Sequence, residues 1–173
     1  LLSVSLDLIM GHGGMFHMGH GGFFAVGAYA GALLATSLNL PFFLELLLAG
    51  AVAAVFGMII GFPSIRLKGD YITFCSYGFA VVIYTVANNW MDVTNGPIGI
   101  SGLMRPEIFG ISFASLPMYL LLCVIICAVC FFIISRILNS PYGKSIQATR
   151  EDEIATYACG VNVASLRVQI FCI

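Results

Sequence analysis

The chain has 173 residues, 60% of them apolar and only 9% charged, with seven basic and eight acidic side chains and a net charge of −1. A water-soluble domain of this size carries roughly a quarter charged residues. This composition, with a mean hydropathy of +1.02, therefore excludes an ordinary soluble enzyme and places the missing polar surface against lipid. The lack of a basic excess excludes nucleic acid as a partner.

Leu1–Met10 opens the chain as an apolar segment without the basic start of a signal peptide. Gly11–Gly22 follows, with six glycines and three histidines in twelve residues. Each glycine costs about 1 kcal/mol relative to alanine inside a helix. The segment is thus predicted to interrupt two helical pieces, inside the membrane, where protein or water must satisfy irregular backbone. Phe23–Leu38 reads as a short helix of 16 residues. Its length of about 24 Å falls below the roughly 30 Å hydrocarbon core. Pro41–Phe62, Asp70–Trp90 and Ser115–Leu138 are each long enough to cross. A last apolar fragment begins near Ala164. Both ends look cut, so residues 1–173 are read as a single transmembrane domain of a longer chain. The fold class is all-α, a polytopic helical membrane protein with a broken helix.

Small residues recur at spacings of three and four: Gly27, Ala28, Gly31 and Ala32 in one helix, and Gly50, Ala54 and Gly57 in the next. That spacing puts them on one face, where helix backbones approach closely. The basic residues set the orientation. With Pro63–Gly69 and the segment after Leu138 in the cytoplasm, five basic residues (Arg66, Lys68, Arg136, Lys144 and Arg150) lie inside and only Arg105 outside. Asn39–Leu40 and Met91–Ala114 then face outward, the latter with a compact turn at Asn95–Gly102.

Several patterns resemble chemistry. Gly143-Lys144-Ser145 mimics the end of a P-loop, but Leu138 stands where that loop requires glycine and a membrane helix leads in. Cys123, Cys127 and Cys130 have the spacing of an iron–sulfur motif, yet lie in an uncharged apolar run and read as small core residues. All six cysteines read as reduced. Met10, His12, Met15, His17, Met18 and His20 form a soft-ligand set suited to copper or zinc. The alternative is that these histidines line a wet gap in a broken helix. Asp7 and Glu45 are the acidic residues inside apolar runs. Glu45 is near a helix end, whereas Asp7 adjoins the glycine-rich segment, and charge at that depth marks a pathway or a polar contact. Asp7, His12 and His20 are the pathway candidates, since discontinuous helices form transport sites.

Ser140-Pro141 stops the helix before it. Beyond it, Ile146, Ile154, Tyr157, Ala158 and Val161 offer an apolar stripe over Tyr142–Asn162, mostly at helical spacing. Gly160 suits a helix C-terminal cap.

The runs Leu6-Asp7-Leu8-Ile9-Met10-Gly11 and Gly19-His20-Gly21-Gly22-Phe23-Phe24-Ala25-Val26-Gly27-Ala28-Tyr29 resemble the N-terminal signature of LivM-type permeases. These form one of two homologous membrane subunits of branched-chain amino-acid ABC importers. The resemblance continues through Arg66–Tyr71, Asn88-Asn89-Trp90 and Gly96–Gly102. It is strongest at Gly143–Ala155 and closes with Gly160-Val161-Asn162. Asp7 stands where the family usually has asparagine, and His12 and His17 replace an aromatic and a small polar residue.

The resemblance implies a non-enzymatic importer subunit in the bacterial inner membrane. Its implied partners are a homologous second permease subunit, two cytoplasmic ATPase subunits that hold the ATP and magnesium, and an external solute-binding protein. No cofactor is expected in this chain. The solute would be a branched-chain amino acid or a related small polar molecule. Gly143, Lys144, Arg150, Glu151, Asp152, Glu153 and Gly160 are then the candidates for coupling to the ATPase. A metal transporter built on the histidine–methionine set, and a membrane scaffold without substrate, remain as alternatives.

Overall fold

The structure, a computed structural model, describes residues 1–38, 41–64, 67, 70–103, 107–108, 111–112 and 115–172. Helix α1 (Leu2–Asp7) runs into a π-helical turn at Leu8–His12 and stops. Residues 13–19 are non-helical, and α2 (His20–Leu38) then begins. The interruption is narrower than the glycine count suggests, because His20, Gly21 and Gly22 join α2. Gly22 belongs there for packing reasons, since a β-carbon on it would come within 3.1 Å of the Ala80 backbone. The helix has 19 residues rather than the predicted 16, and about 28 Å of length.

Next come α3 (Phe42–Ser64), α4 (Asp70–Asn89), the short α5 (Met91–Thr94) and a 3₁₀ turn at Gly96–Ile98. Asn95, Gly96, Gly99 and Gly102 all have positive φ, which gives the compact turn its shape. A two-residue antiparallel ladder, β1 (Glu107–Ile108) with β2 (Ile111–Ser112), interrupts the otherwise helical fold. Helices α6 (Leu116–Leu138), α7 (Pro141–Glu151), α8 (Glu153–Ala158) and α9 (Val163–Cys172) complete the chain. Among the described residues, three helical stretches are long and apolar enough to cross a membrane: Phe42–Pro63, Tyr71–Asn89 and Leu116–Leu138. They coincide with the three full spans predicted. The loop positions Arg66, Lys68 and Arg105, which contribute to the predicted orientation, lie outside the described residues.

Glycines decide how the helices meet. A β-carbon on Gly27 would touch Ala53 and one on Gly31 would touch Ala49, so α2 and α3 run antiparallel at close range. The α3 side of this seam is therefore Ala49 and Ala53. Gly50, expected there, has no heavy atom within 4 Å of an added β-carbon. Gly57 and Gly61 serve a second seam, against the backbone of Phe171 and Val168 in α9. Ala49, Ala53, Gly57 and Gly61 recur every four residues, so one small-residue stripe of α3 meets α2 along its first part and α9 along its second.

The core lies where these elements converge on the interrupted segment. Ile9, Met15, Ile146, Leu166, Ile170 and Phe171 are buried together, with Phe23, Tyr142 and Val161 packed around them. Helix α6 stands apart from this core. Its main neighbour is α7, and along it only Leu122 is buried. Cys123 and Cys127 lie exposed on that apolar surface, with Cys130 half-buried. The expectation of core cysteines there fails because the described elements leave most of α6 bare. An apolar helix left this bare suits lipid or further protein, not water.

Candidate functional site

Segment 13–19 is held in place by α4. The Ser76 hydroxyl, fully buried, accepts the Met18 amide at 3.1 Å and donates to the Thr73 carbonyl at 2.9 Å. The Thr73 hydroxyl donates to the Phe16 carbonyl at 3.1 Å. These two side chains replace backbone partners that the interruption removes. They also make the segment alternate like a strand, with Met15, His17 and Gly19 turned inward and Phe16 and Met18 outward. Gly19 is needed because a β-carbon there would collide with the Ser76 carbonyl. Thr73 and Ser76 lie only about 5 and 9 Å along α4 from its start, at 1.5 Å per residue. The interruption is thus near one end of α4 and not at its middle. Sequence reasoning missed this pair, although two hydroxyls one turn apart in an apolar run were a legible signal.

The three pathway candidates do not converge. His20, at the start of α2, pairs with the Ser5 hydroxyl of α1 at 2.7 Å and closes the gap between the two helical pieces. Both residues border a cavity of about 350 Å³ whose other walls include Leu8, Phe23, Gly50 and Phe171. Asp7 and His12 face elsewhere. Their carboxylate and ring Nδ1 are 3.3 Å apart, with 63% and 30% of the side chains exposed. They share a polar recess with Gly11, Gln147, Arg150 and Glu151. One set of candidates therefore belongs with the apolar cavity and the other with α7.

The coupling candidates also divide. Ser140 caps α7 by accepting the Gly143 amide at 3.3 Å, and Pro141 opens the helix. Gly143 is required because a β-carbon would strike the carbonyls that end α6. The chain breaks again at Asp152, whose carboxylate accepts the Ile154 and Ala155 amides at 2.8 and 3.0 Å as the N-cap of α8. Glu153 pairs with Arg167 of α9 at 2.8 Å. Arg150 donates from Nη1 to the Gly11 carbonyl at 2.5 Å. Arg150, Asp152 and Glu153 thus make contacts within the fold, while Arg150 and Asp152 are also exposed at the surface. Lys144 and Glu151 are exposed.

At Gly160, φ is +85°. The Gly160 amide reaches the Tyr157 carbonyl and the Val161 amide that of Thr156, the paired bonds of a Schellman cap. The predicted apolar stripe needs correction. Ile146 is fully buried, but Ile154 and Tyr157 are 82% and 72% exposed, because Asp152 restarts the helix in a new register and turns Thr156 inward. Burial pushes the Tyr142 phenol above its ordinary range, with Cys172 adding to the effect.

Residues 1–173 match the family described as the permease component of the branched-chain amino acid transport system. The chain belongs to this permease family. It is 32% identical over 196 aligned residues to the high-affinity branched-chain amino acid transport system permease protein LivM of Salmonella typhimurium, covering all of this chain and 46% of that protein. The Escherichia coli LivM gives 31% with the same coverage. A probable branched-chain amino acid transport permease protein LivM of Methanocaldococcus jannaschii gives 26% over 137 residues, 74% of this chain and 38% of that protein. The chain thus spans less than half the length of these relatives. No solved structure matches it.

Within this permease the soft-ligand set does not gather at one point, although His17 and His20 are neighbours. His12 is with Asp7, His17 is buried against Phe23 and Phe171, and Met18 is 65% exposed. Among the described residues no group of three or more histidine, cysteine or acidic side chains could hold a metal ion. The strand-like alternation of segment 13–19 turns Met18 away from His17, while His17 and His20 stay in edge-to-face contact with ring centroids 6.0 Å apart. The P-loop lookalike Gly143-Lys144-Ser145 forms the first turn of α7, tight against the end of α6.

Proposed function

We propose that this permease supplies part of the membrane path of an ATP-driven importer for branched-chain amino acids, in the bacterial inner membrane. The observation that carries the reading is the family match along the whole chain. It works with a homologous second permease, two cytoplasmic ATPase subunits that bind ATP and magnesium, and an external solute-binding protein, and performs no catalysis itself. The path runs by the cavity at Ser5 and His20, where apolar walls suit an aliphatic side chain and two polar groups suit the charged end of the solute. Asp7 and His12 belong to the junction with α7 and not to the path. Helices α7 and α8 form the cytoplasmic element that meets the ATPase, presenting Lys144, Glu151, Ile154 and Tyr157.

The test is reconstitution of the full-length permease with its three kinds of partner in liposomes. Leucine uptake should require both ATP and the binding protein, and valine and isoleucine should compete. Uptake of copper or zinc, or leucine uptake that ignores ATP, would overturn the reading.

A further inference from the structure

Helices end with carbonyls that have no intrahelical partner, and those carbonyls carry the negative end of the helix dipole. The first helical piece ends in this way at His12, just before segment 13–19. There the Arg150 guanidinium donates to the Gly11 carbonyl, from a helix 139 positions later in the chain. The stem of the same arginine lies along Gly14, which has φ +65°, and a β-carbon on Gly14 would come within 2.7 Å of Arg150 Cγ. Arg150 therefore touches the chain on both sides of the point where it leaves the helix. Its own helix is firmly based. Ile146, one turn earlier, is fully buried with Ile9 and Met15, and Gly143 abuts the end of α6. Displacing α7 must move Arg150 with it, and nothing flexible intervenes between that guanidinium and the Gly11 carbonyl except the arginine stem.

We propose that Arg150 is a positioning residue that transmits movement of α7 to the interrupted helix, by gripping the Gly11 carbonyl and bracing Gly14. This rests on the reading of α7 and α8 as the element that meets the ATPase. Arginine suits the task better than lysine, because its planar fork keeps direction as well as charge. Gly14 has a matching role: any side chain would both strain the backbone and push the arginine stem away. The grip lies at the end of the segment that Ser76 and Thr73 tie to α4, so a pull on Gly11 is felt where α1, α2 and α4 meet.

The experiment uses the complete transporter in liposomes and three readouts: co-purification of the ATPase, ATP hydrolysis, and solute uptake. Arg150→Gln should assemble and hydrolyse ATP as the parent does, while uptake per ATP falls about tenfold, the range of a typical coupling energy. Arg150→Lys, which keeps the charge, should recover part of that ratio. If Arg150→Gln fails to recruit the ATPase, the residue is a surface contact and the proposal is wrong. If uptake per ATP is unchanged, it is also wrong. The substitution Gln147→Cys, at an exposed position of α7, separates this from failure of the underlying reading. Cross-linking of that cysteine to the ATPase alongside normal Arg150→Gln transport would sink only the role of Arg150. Absence of the cross-link would sink the assignment of α7 as well.

Discussion

The Ser5 hydroxyl and the His20 ring Nε2 are 2.7 Å apart, a polar contact joining two helical pieces that the intervening chain leaves unconnected by helix. The pair is partly buried, and the cavity it borders has largely apolar walls. A hydrogen bond in such surroundings is worth more than one in solvent.

Replacing Ser5 by alanine, or His20 by alanine, should lower the unfolding temperature of the purified permease. A double-mutant cycle should show coupling of about 0.5–1.5 kcal/mol, the usual net value of one hydrogen bond. Strictly additive losses would mean that the two residues do not act as a pair.

Ser76 is the stronger anchor. Ser76→Ala leaves the part-buried Met18 amide without its partner, which costs about 1 kcal/mol, the usual net value of one hydrogen bond. Thermal unfolding of the solubilised protein should show that loss, and proteolysis should become faster between Gly13 and Gly19. Ser76→Thr retains the hydroxyl but adds a methyl where the side chain is fully buried, so it should recover only part of the stability. A Ser76→Ala protein as stable as the parent would remove α4 as the support of this segment.

The glycines of α3 should respond unequally. Gly57→Ala and Gly61→Ala push a methyl into the backbone of α9, and overpacking of this kind costs about 1–3 kcal/mol. Gly50→Ala meets no atom within 4 Å and should be neutral, or stabilising by about 0.5–1 kcal/mol through helix propensity. Equal losses at all three positions would contradict the two-seam arrangement.

Orientation can be read by labelling single cysteines in a cysteine-free background. Ser101, exposed in the turn after α5, should react with a membrane-impermeant reagent from outside, and Gln147, exposed on α7, only from inside. Thr94 is unsuitable as a probe because it is buried, its hydroxyl bonded to the Ala87 and Trp90 carbonyls. Reversed labelling would invert the whole topology.

The three long spans, the interruption, the compact turn after α5 and the cap at Gly160 were all legible in the chain itself. Each depends on local chemistry: the length of an apolar run, the density of glycine, or a position that needs positive φ. The cap at Asp152 was equally local and could have been read, since aspartate is a strong N-cap residue. It was missed because a charged run looked like a surface offered to a partner.

Partners across the fold were another matter. Composition placed Asp7, His12 and His20 in one candidate site, but the π-helical turn sends Asp7 and His12 toward α7 and leaves His20 with Ser5. Nothing local tells that an arginine in a charged run will meet a carbonyl 139 positions earlier. Arg150 reaches Gly11 because Ile146 seats α7 on Ile9 and Met15. Local sequence therefore determined which segments are helical and where they stop. Tertiary packing decided which polar groups meet, because orphaned carbonyls and buried hydroxyls take their partners from whatever element the apolar core brings beside them.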